Sequence, residues 1–172
     1  GITLRTVPFD RTSFELDFAA LEAGLTPRVK LLAIGAASNA LGTVTDVARA
    51  AKLARQAGIL TFVDAVHFAA HGRVDVRAIG CDFLACSAYK FYGPHIGILY
   101  GKKAKLEAAD FPKLDPAPNE SPERVETGTQ NHEGIVGAAA AVDFLASLAR
   151  GGDRRSRLRS AFGELHARSS AQ

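Results

Sequence analysis

The stretch Cys81 to Gly93, C-D-F-L-A-C-S-A-Y-K-F-Y-G, sets the frame for the rest of the chain. Its first six residues form an apolar run of strand length, and Lys90 lies just past the end of that run. An amine there stands at the mouth of a sheet, flanked by hydroxyls and aromatic rings. Partial desolvation by Phe91 and Tyr92 favours the neutral amine, the form that attacks a carbonyl to give a Schiff base. The competing reading is a lysine that snorkels from a strand end into water.

Outward from this strand, the chain alternates strand and helix signals. Lys30–Gly35 and Ile59–Val63 are short apolar runs. Between them Thr45 is placed to cap a helix whose apolar face is Val47, Ala50, Ala51 and Ala54, with a stop near Gly58. That pattern predicts a βαβ unit with a right-handed crossover, in a parallel sheet covered on both faces. Ile96–Tyr100 follows the Cys81–Cys86 strand too closely for a parallel crossover, so it is expected to run antiparallel. The fold class is therefore α/β, a three-layer sandwich with a mostly parallel sheet and one antiparallel strand.

The flanks read more simply. Ile2–Pro8 alternates like a half-buried strand, and Phe14, Phe18, Leu21 and Leu25 recur at helical spacing after Ser13. Asp75–Ile79 is at most a short helix. Lys102–Pro122 is charged and rich in proline, which predicts a short helix and then a long loop. Gly134–Leu148 is apolar nearly all round and reads as a buried helix. Arg154–Arg168 reads as a final amphipathic helix with Leu158, Phe162 and Leu165 on its apolar side.

Composition narrows the class. The 172 residues are 47% hydrophobic and 23% charged, which suits one ordinary globular domain. Lys and Arg number 21 against 18 Asp and Glu, too slight an excess for a nucleic-acid footprint. Arg154, Arg155, Arg157 and Arg159 read as one solvated helix face. No stretch has the length of a membrane span, and the N-terminus carries no signal-peptide pattern. Cys81 and Cys86 fit neither a disulfide framework nor a metal spacing, and a reducing, cytoplasmic setting is expected.

Ligands of open α/β sheets bind beyond the carboxyl ends of the strands. Three such ends carry polar residues here: Ser38-Asn39, Asp64-Ala65-Val66-His67 and Ser87-Ala88-Tyr89-Lys90. Asp64 closes an apolar run and needs a partner, whether a turn, a cation such as Arg73, or a ligand. A carboxylate on one strand end and a lysine on another meet the needs of pyridoxal 5'-phosphate. The lysine tethers the aldehyde, and the carboxylate keeps the pyridine nitrogen protonated, so that the ring accepts electrons.

These residues also carry a resemblance. S-N-A-L-G-T-V at Ser38–Val44, V-D-A-V-H at Val63–His67, S-A-Y-K-F-Y-G-P at Ser87–Pro94 and E-T-G-T-Q-N at Glu126–Asn131 resemble class V aminotransferases. Within them the chain is most similar to the cysteine desulfurase-like branch of the fold type I pyridoxal phosphate enzymes. The resemblance implies that Lys90 forms the internal aldimine and that Asp64 pairs with the pyridine nitrogen. Asn39 and His67 would lie by the ring's phenolic oxygen. It further implies that Ser87 and Tyr89 serve the cofactor phosphate, and that Thr129 reaches the phosphate of a neighbouring subunit. An amino-acid substrate, a homodimer and a sulfur-acceptor protein follow as implied partners, with no nucleic acid and no membrane.

Other readings remain beside these. His67 could be a structural histidine beside His71, Tyr89 and Tyr92 could be packing, and Asn39 could only close the Ser38–Thr43 turn. His95 and His132 are assigned no role. The family's phosphate-binding glycine turn, ring-stacking aromatic, substrate-carboxylate arginine and nucleophilic cysteine have no counterpart here. The chain is accordingly expected to be a piece of a longer protein: residues 1–150 a partial cofactor-binding large domain, and 151–172 a helix leading to a small domain. A non-catalytic scaffold is the rival reading. A dinucleotide binder is disfavoured by the lack of G-x-G-x-x-G after any predicted strand.

Overall fold

The computed structural model describes residues 1–126 and 128–170. Four strands form one sheet in the order β1 (Leu31–Gly35), β2 (Leu60–Asp64), β3 (Phe83–Ser87) and β4 (Gly97–Gly101). The first three run parallel, and β4 is antiparallel to β3, as its short connection requires.

Helix α1 (Phe18–Gly24) precedes the sheet, and α2 (Val47–Gln56) makes the β1-to-β2 crossover. The side chain of Asp46, not Thr45, caps α2, accepting the amide of Arg49 at 2.9 Å. A carboxylate one residue later reaches the free amides of the first turn, and Thr45 is instead held by its own amide on Ala36 O. The predicted face of Val47, Ala50, Ala51 and Ala54 is buried. Small side chains there let the helix lie close against β1 and β2.

Short helices α3 (Phe68–His71) and α4 (Val76–Ile79) lead back to β3. After β4 come α5 (Lys103–Ala108), a loop, a 3-10 turn at Glu123–Val125, α6 (His132–Ser147) and α7 (Arg154–Ser170).

The core lies on one face of the sheet. Ile34, Val63, Leu84 and Tyr100 share that face by strand alternation and pack with Ala36, Val47, Ala65 and Cys81. Leu21, Leu32, Ala50, Ala54 and Ile59 extend it under α1 and α2, and Ala88, Phe91, Ala138, Ala141 and Leu145 extend it under α6. Each fully buried large side chain, such as Leu21 or Val63, contributes about 1.5–3 kcal/mol.

The opposite face carries Leu31, Phe62, Phe83 and Leu99. Leu31 and Leu99 are half exposed, and Phe62 stacks on Phe83, with centroids 6.4 Å apart. Among the described residues, the helix cover expected on both faces is therefore present on one.

Three expectations change elsewhere. Ile2–Pro8 forms no strand, and Ile2 and Leu4 lie in solvent: the segment does not join either edge strand of the sheet. Phe14 precedes α1 with φ of 59° rather than joining it, because Asp10 accepts the amides of Thr12 and Ser13 and turns the chain there. Helix α6 is buried along one side only: Ala138, Ala141 and Leu145 face the core while Ile135, Val136 and Phe144 face out. The arginines of α7 are also less uniform than a solvated face. Arg155 donates to Asp75, the N-cap of α4, at 2.9 Å, and Arg154 donates to Asp143 at 3.1 Å.

Candidate active site

The carboxyl ends of β1, β2 and β3 lie level with one another. Gly35 is in register with Asp64, and Asp64 with Ala85. Beyond the strands, Ala36 donates to Asp64 O and Ala65 to Ala85 O, both at 2.8 Å. The three polar loops therefore leave the sheet along one edge, as the sequence predicts. Asp64, Ala85 and Ser87 also share the uncovered face, since they alternate with the buried Val63 and Leu84.

Asp64 is exposed, and its Oδ1 accepts the amide of Val66 at 2.9 Å. The alternative partner Arg73 lies instead 3.8 Å from Asp75. Among the described residues, Asp64 has no ion pair. Its carboxylate thus caps a local turn through one oxygen and leaves the other for a ligand.

Lys90 sits in a 3-10 turn, Ala88–Phe91, anchored by the buried Ala88 and Phe91. Lys90 is partly buried as a residue, and its amine has no ion pair among the described residues. The aromatic face beside it belongs to Tyr89, with Nζ 4.8 Å from the ring centroid. The expected pair, Phe91 and Tyr92, point elsewhere. Phe91 enters the core, and Tyr92 meets Phe144 of α6 edge-on at 5.7 Å.

The turn is closed tightly. Gly93 donates to Ala88 O at 2.8 Å, and Ala88 donates to Ile96 O at 3.0 Å. A Cβ on Gly93 would come within 2.9 Å of that same Ala88 oxygen, so only glycine fits. Gly137 likewise lets α6 approach Pro94, which a Cβ would meet at 3.0 Å. Helix α6 thereby buttresses the turn that carries Lys90.

The remaining predicted residues divide into two groups. Ser87 ends β3, and Tyr89 follows it in the turn, half exposed. His67 is the residue just before α3, partly buried, and its ring lies 4.8 Å from that of His71, so the two form a pair beside the Asp64 loop. Asn39 is exposed on the β1 loop. That loop is closed by Ser38, whose amide donates to Thr43 O and whose Oγ accepts the amides of Ala40 and Leu41. Asn39 is thus free of the turn-closing duty.

Thr129 belongs to a different segment, just before α6. It is exposed, within the segment spanned by a hydrogen bond from Gln130 to Glu126, and no described hydrogen bond links it to Lys90 or Asp64. Thr127 of the same motif lies outside the described residues.

Burial pushes both thiols upward in pKa. Cys81 is fully buried just before β3, and Cys86 is partly buried within it. Neither is an activated nucleophile.

His95, with no role in the sequence reading, stacks on Tyr89 at 5.0 Å and 7°. A ring six residues after Tyr89, across a Gly-Pro turn, was the available signal.

The family model for class-V aminotransferases matches residues 1–159. The chain belongs to the class-V aminotransferase family. Curated relatives include cysteine desulfurases of Yersinia pestis strain Pestoides F and Dickeya dadantii strain 3937, each 37% identical over 86% of this chain. Among solved structures, the cysteine desulfurase CsdA from Escherichia coli is similar with a TM-score of 0.73 and 33% identity. That match covers 86% of this chain and 39% of CsdA. A cysteine desulfurase from Thermococcus onnurineus NA1 gives 0.75 and 29%, over 92% of this chain and 40% of its own. The chain spans about 39% of the length of the curated relatives it matches.

The class-V assignment agrees with the mostly parallel sheet and with the polar carboxyl edge read from the sequence. No described helix is long and apolar enough to cross a membrane.

Proposed function

We propose that this class-V family member carries the central part of a pyridoxal 5'-phosphate site. In this reading it belongs to a cysteine desulfurase-like enzyme acting on an amino acid. The observation that carries the reading is two groups on one edge that have no ion pair among the described residues, the Asp64 carboxylate and the Lys90 amine. A stray amine and a half-used carboxylate at a sheet's carboxyl edge match a ligand that needs a covalent tether and an anion facing a protonated ring nitrogen.

Lys90 would hold the cofactor through its amine and later carry a proton to and from the substrate carbon. Asp64 would face the ring nitrogen and keep it protonated through the oxygen that Val66 leaves free. Asn39 and His67 would hydrogen-bond at the phenolic side of the ring, since both loops leave the same edge. Ser87 and Tyr89 would bind the phosphate. Thr129 would serve the phosphate of a partner copy, in keeping with its distance in the chain from the Lys90 turn. When bound, the cofactor supplies an electron sink for the bond broken at the substrate's α-carbon.

A homodimer is part of this proposal. The uncovered sheet face and the outward Ile135, Val136 and Phe144 give it apolar surface to bury. Residues 1–150 are proposed as part of the cofactor-binding domain and 151–172 as a connecting helix. A sulfur-acceptor partner and a cytoplasmic setting complete the reading, and both rest on the similarity to cysteine desulfurases.

The test is to mix the chain with pyridoxal phosphate, fix the adduct with borohydride and map the modified lysine. Lys90 is expected to be labelled well ahead of Lys30, Lys52 and Lys102, and the selective signal to vanish in Lys90→Ala. Equal labelling of all four would leave the scaffold reading standing.

A further inference from the structure

Tyr89 presents its ring to two neighbours. The Lys90 ammonium lies 4.8 Å from the ring centroid, and the His95 imidazole lies parallel to the ring at 5.0 Å and 7°. We propose that His95 is a positioning residue: it stacks on Tyr89 and holds that ring as a platform on which the Lys90 amine rests.

The backbone explains why these rings meet. Tyr89 and Lys90 occupy a single 3-10 turn, which ends at Tyr92 in the left-handed region with φ of 70°. The chain then folds back through Gly93, and the bonds Gly93 N to Ala88 O and Ala88 N to Ile96 O close a nine-residue loop, Ala88–Ile96. His95 is the next-to-last residue of that loop and is returned to the side of Tyr89. Gly93 and the Pro94 contact with α6 leave the loop little freedom to open.

Tyr89 is 45% exposed and has no hydrogen bond among the described residues that would fix its ring. The His95 stack is the contact that orients it. An oriented ring face attracts a cation, whereas a freely turning ring presents its edge as often as its face. Removing His95 therefore reaches Lys90 through Tyr89.

This inference rests on Lys90 being the cofactor lysine only for its use, and its test is built to separate the two. The amine is converted to its ¹³C-dimethyl derivative by reductive methylation, and the Lys90 resonance is assigned by its loss in Lys90→Arg. The protein is used without cofactor, near neutral pH. In the parent chain the resonance is expected to be displaced upfield by the Tyr89 ring current, and Tyr89→Leu should abolish the displacement. His95→Ala should reduce it, while His95→Phe, which keeps a flat ring but no ring nitrogen, should restore it. Should His95→Ala lose its helical circular dichroism, His95→Leu serves in its place.

The platform also changes how readily pyridoxal phosphate labels Lys90, by about two- to fivefold, the worth of an exposed cation on a ring face. A Lys90 resonance unmoved in folded His95→Ala or His95→Leu, or unrestored in His95→Phe, overturns the proposal. A ring-current pattern that behaves as expected while pyridoxal phosphate labels lysines indiscriminately supports the platform and overturns the cofactor reading.

Discussion

Asp82 and Lys102 meet at the amino-terminal edge of β3, the end of the sheet opposite Asp64. Lys102 Nζ donates to Asp82 Oδ1 at 2.9 Å, and Asp82 Oδ2 accepts the amide of Thr61 at 3.0 Å. One carboxylate thus ties β2, β3 and the end of β4 together. Asp82 is nearly buried while Lys102 keeps a third of its side chain in water. Burial by itself pushes the Asp82 carboxyl upward, but the bonds from Lys102 and Thr61 outweigh it and hold the group below the ordinary range.

A group whose pKa is depressed on folding stabilises the fold above its unfolded pKa, about 3.9 for Asp. Asp82 therefore contributes fully at neutral pH. Its contribution fades as pH falls below about 4 and through the lower folded value. Asp82→Asn should flatten the acid limb of a stability-versus-pH curve from urea titrations. At neutral pH it should cost about 1–2 kcal/mol, discounted for the exposure of Lys102. An acid limb identical in parent and variant would contradict this account.

Gly93→Ala tests the closed turn under Lys90. The new methyl would stand 2.9 Å from Ala88 O, a backbone atom that cannot swing aside. A loss of about 1–3 kcal/mol is expected in chemical denaturation. Gly163→Ala, where nothing lies within 4 Å, should be neutral or slightly stabilising by comparison.

Asp64→Ala separates the two uses of that carboxylate. Structurally it loses one hydrogen bond at an exposed turn, worth about 1 kcal/mol or less. Retention of pyridoxal phosphate, followed by its visible absorption during dialysis, should fall far more than stability does. Equal retention by Asp64→Ala and the parent would remove Asp64 from the proposed site.

The thiols give a fourth check. Cys81 is inaccessible, Cys86 is partly buried, and burial raises the pKa of both. A disulfide reagent at neutral pH should modify Cys86 slowly and Cys81 only on unfolding. Rapid reaction at either would mean that β3 opens readily.

Much of this arrangement was legible in the sequence because it is written in local period and composition. The apolar runs at Lys30–Gly35, Ile59–Val63 and Cys81–Cys86 became strands within a residue or two. The antiparallel sense of β4 followed from its short connection alone. Ile2–Pro8 misled because alternation alone does not secure pairing with an edge strand. Helix α6 misled in another way: its apolar residues run all round the helix, and hydropathy cannot say which side a neighbour will cover.

The sequence by itself determined which polar residues close the strands and in what order they leave them, since the strands of a parallel βαβ sheet end along one edge. Tertiary structure alone decided their partners. Arg73 turned to Asp75 and not to Asp64, and Ser38 closed the turn that Asn39 was free to leave. Tyr89, not Phe91 or Tyr92, came to lie beside the Lys90 amine. Each of those choices depends on where a loop returns through space, which residue types and spacing do not encode.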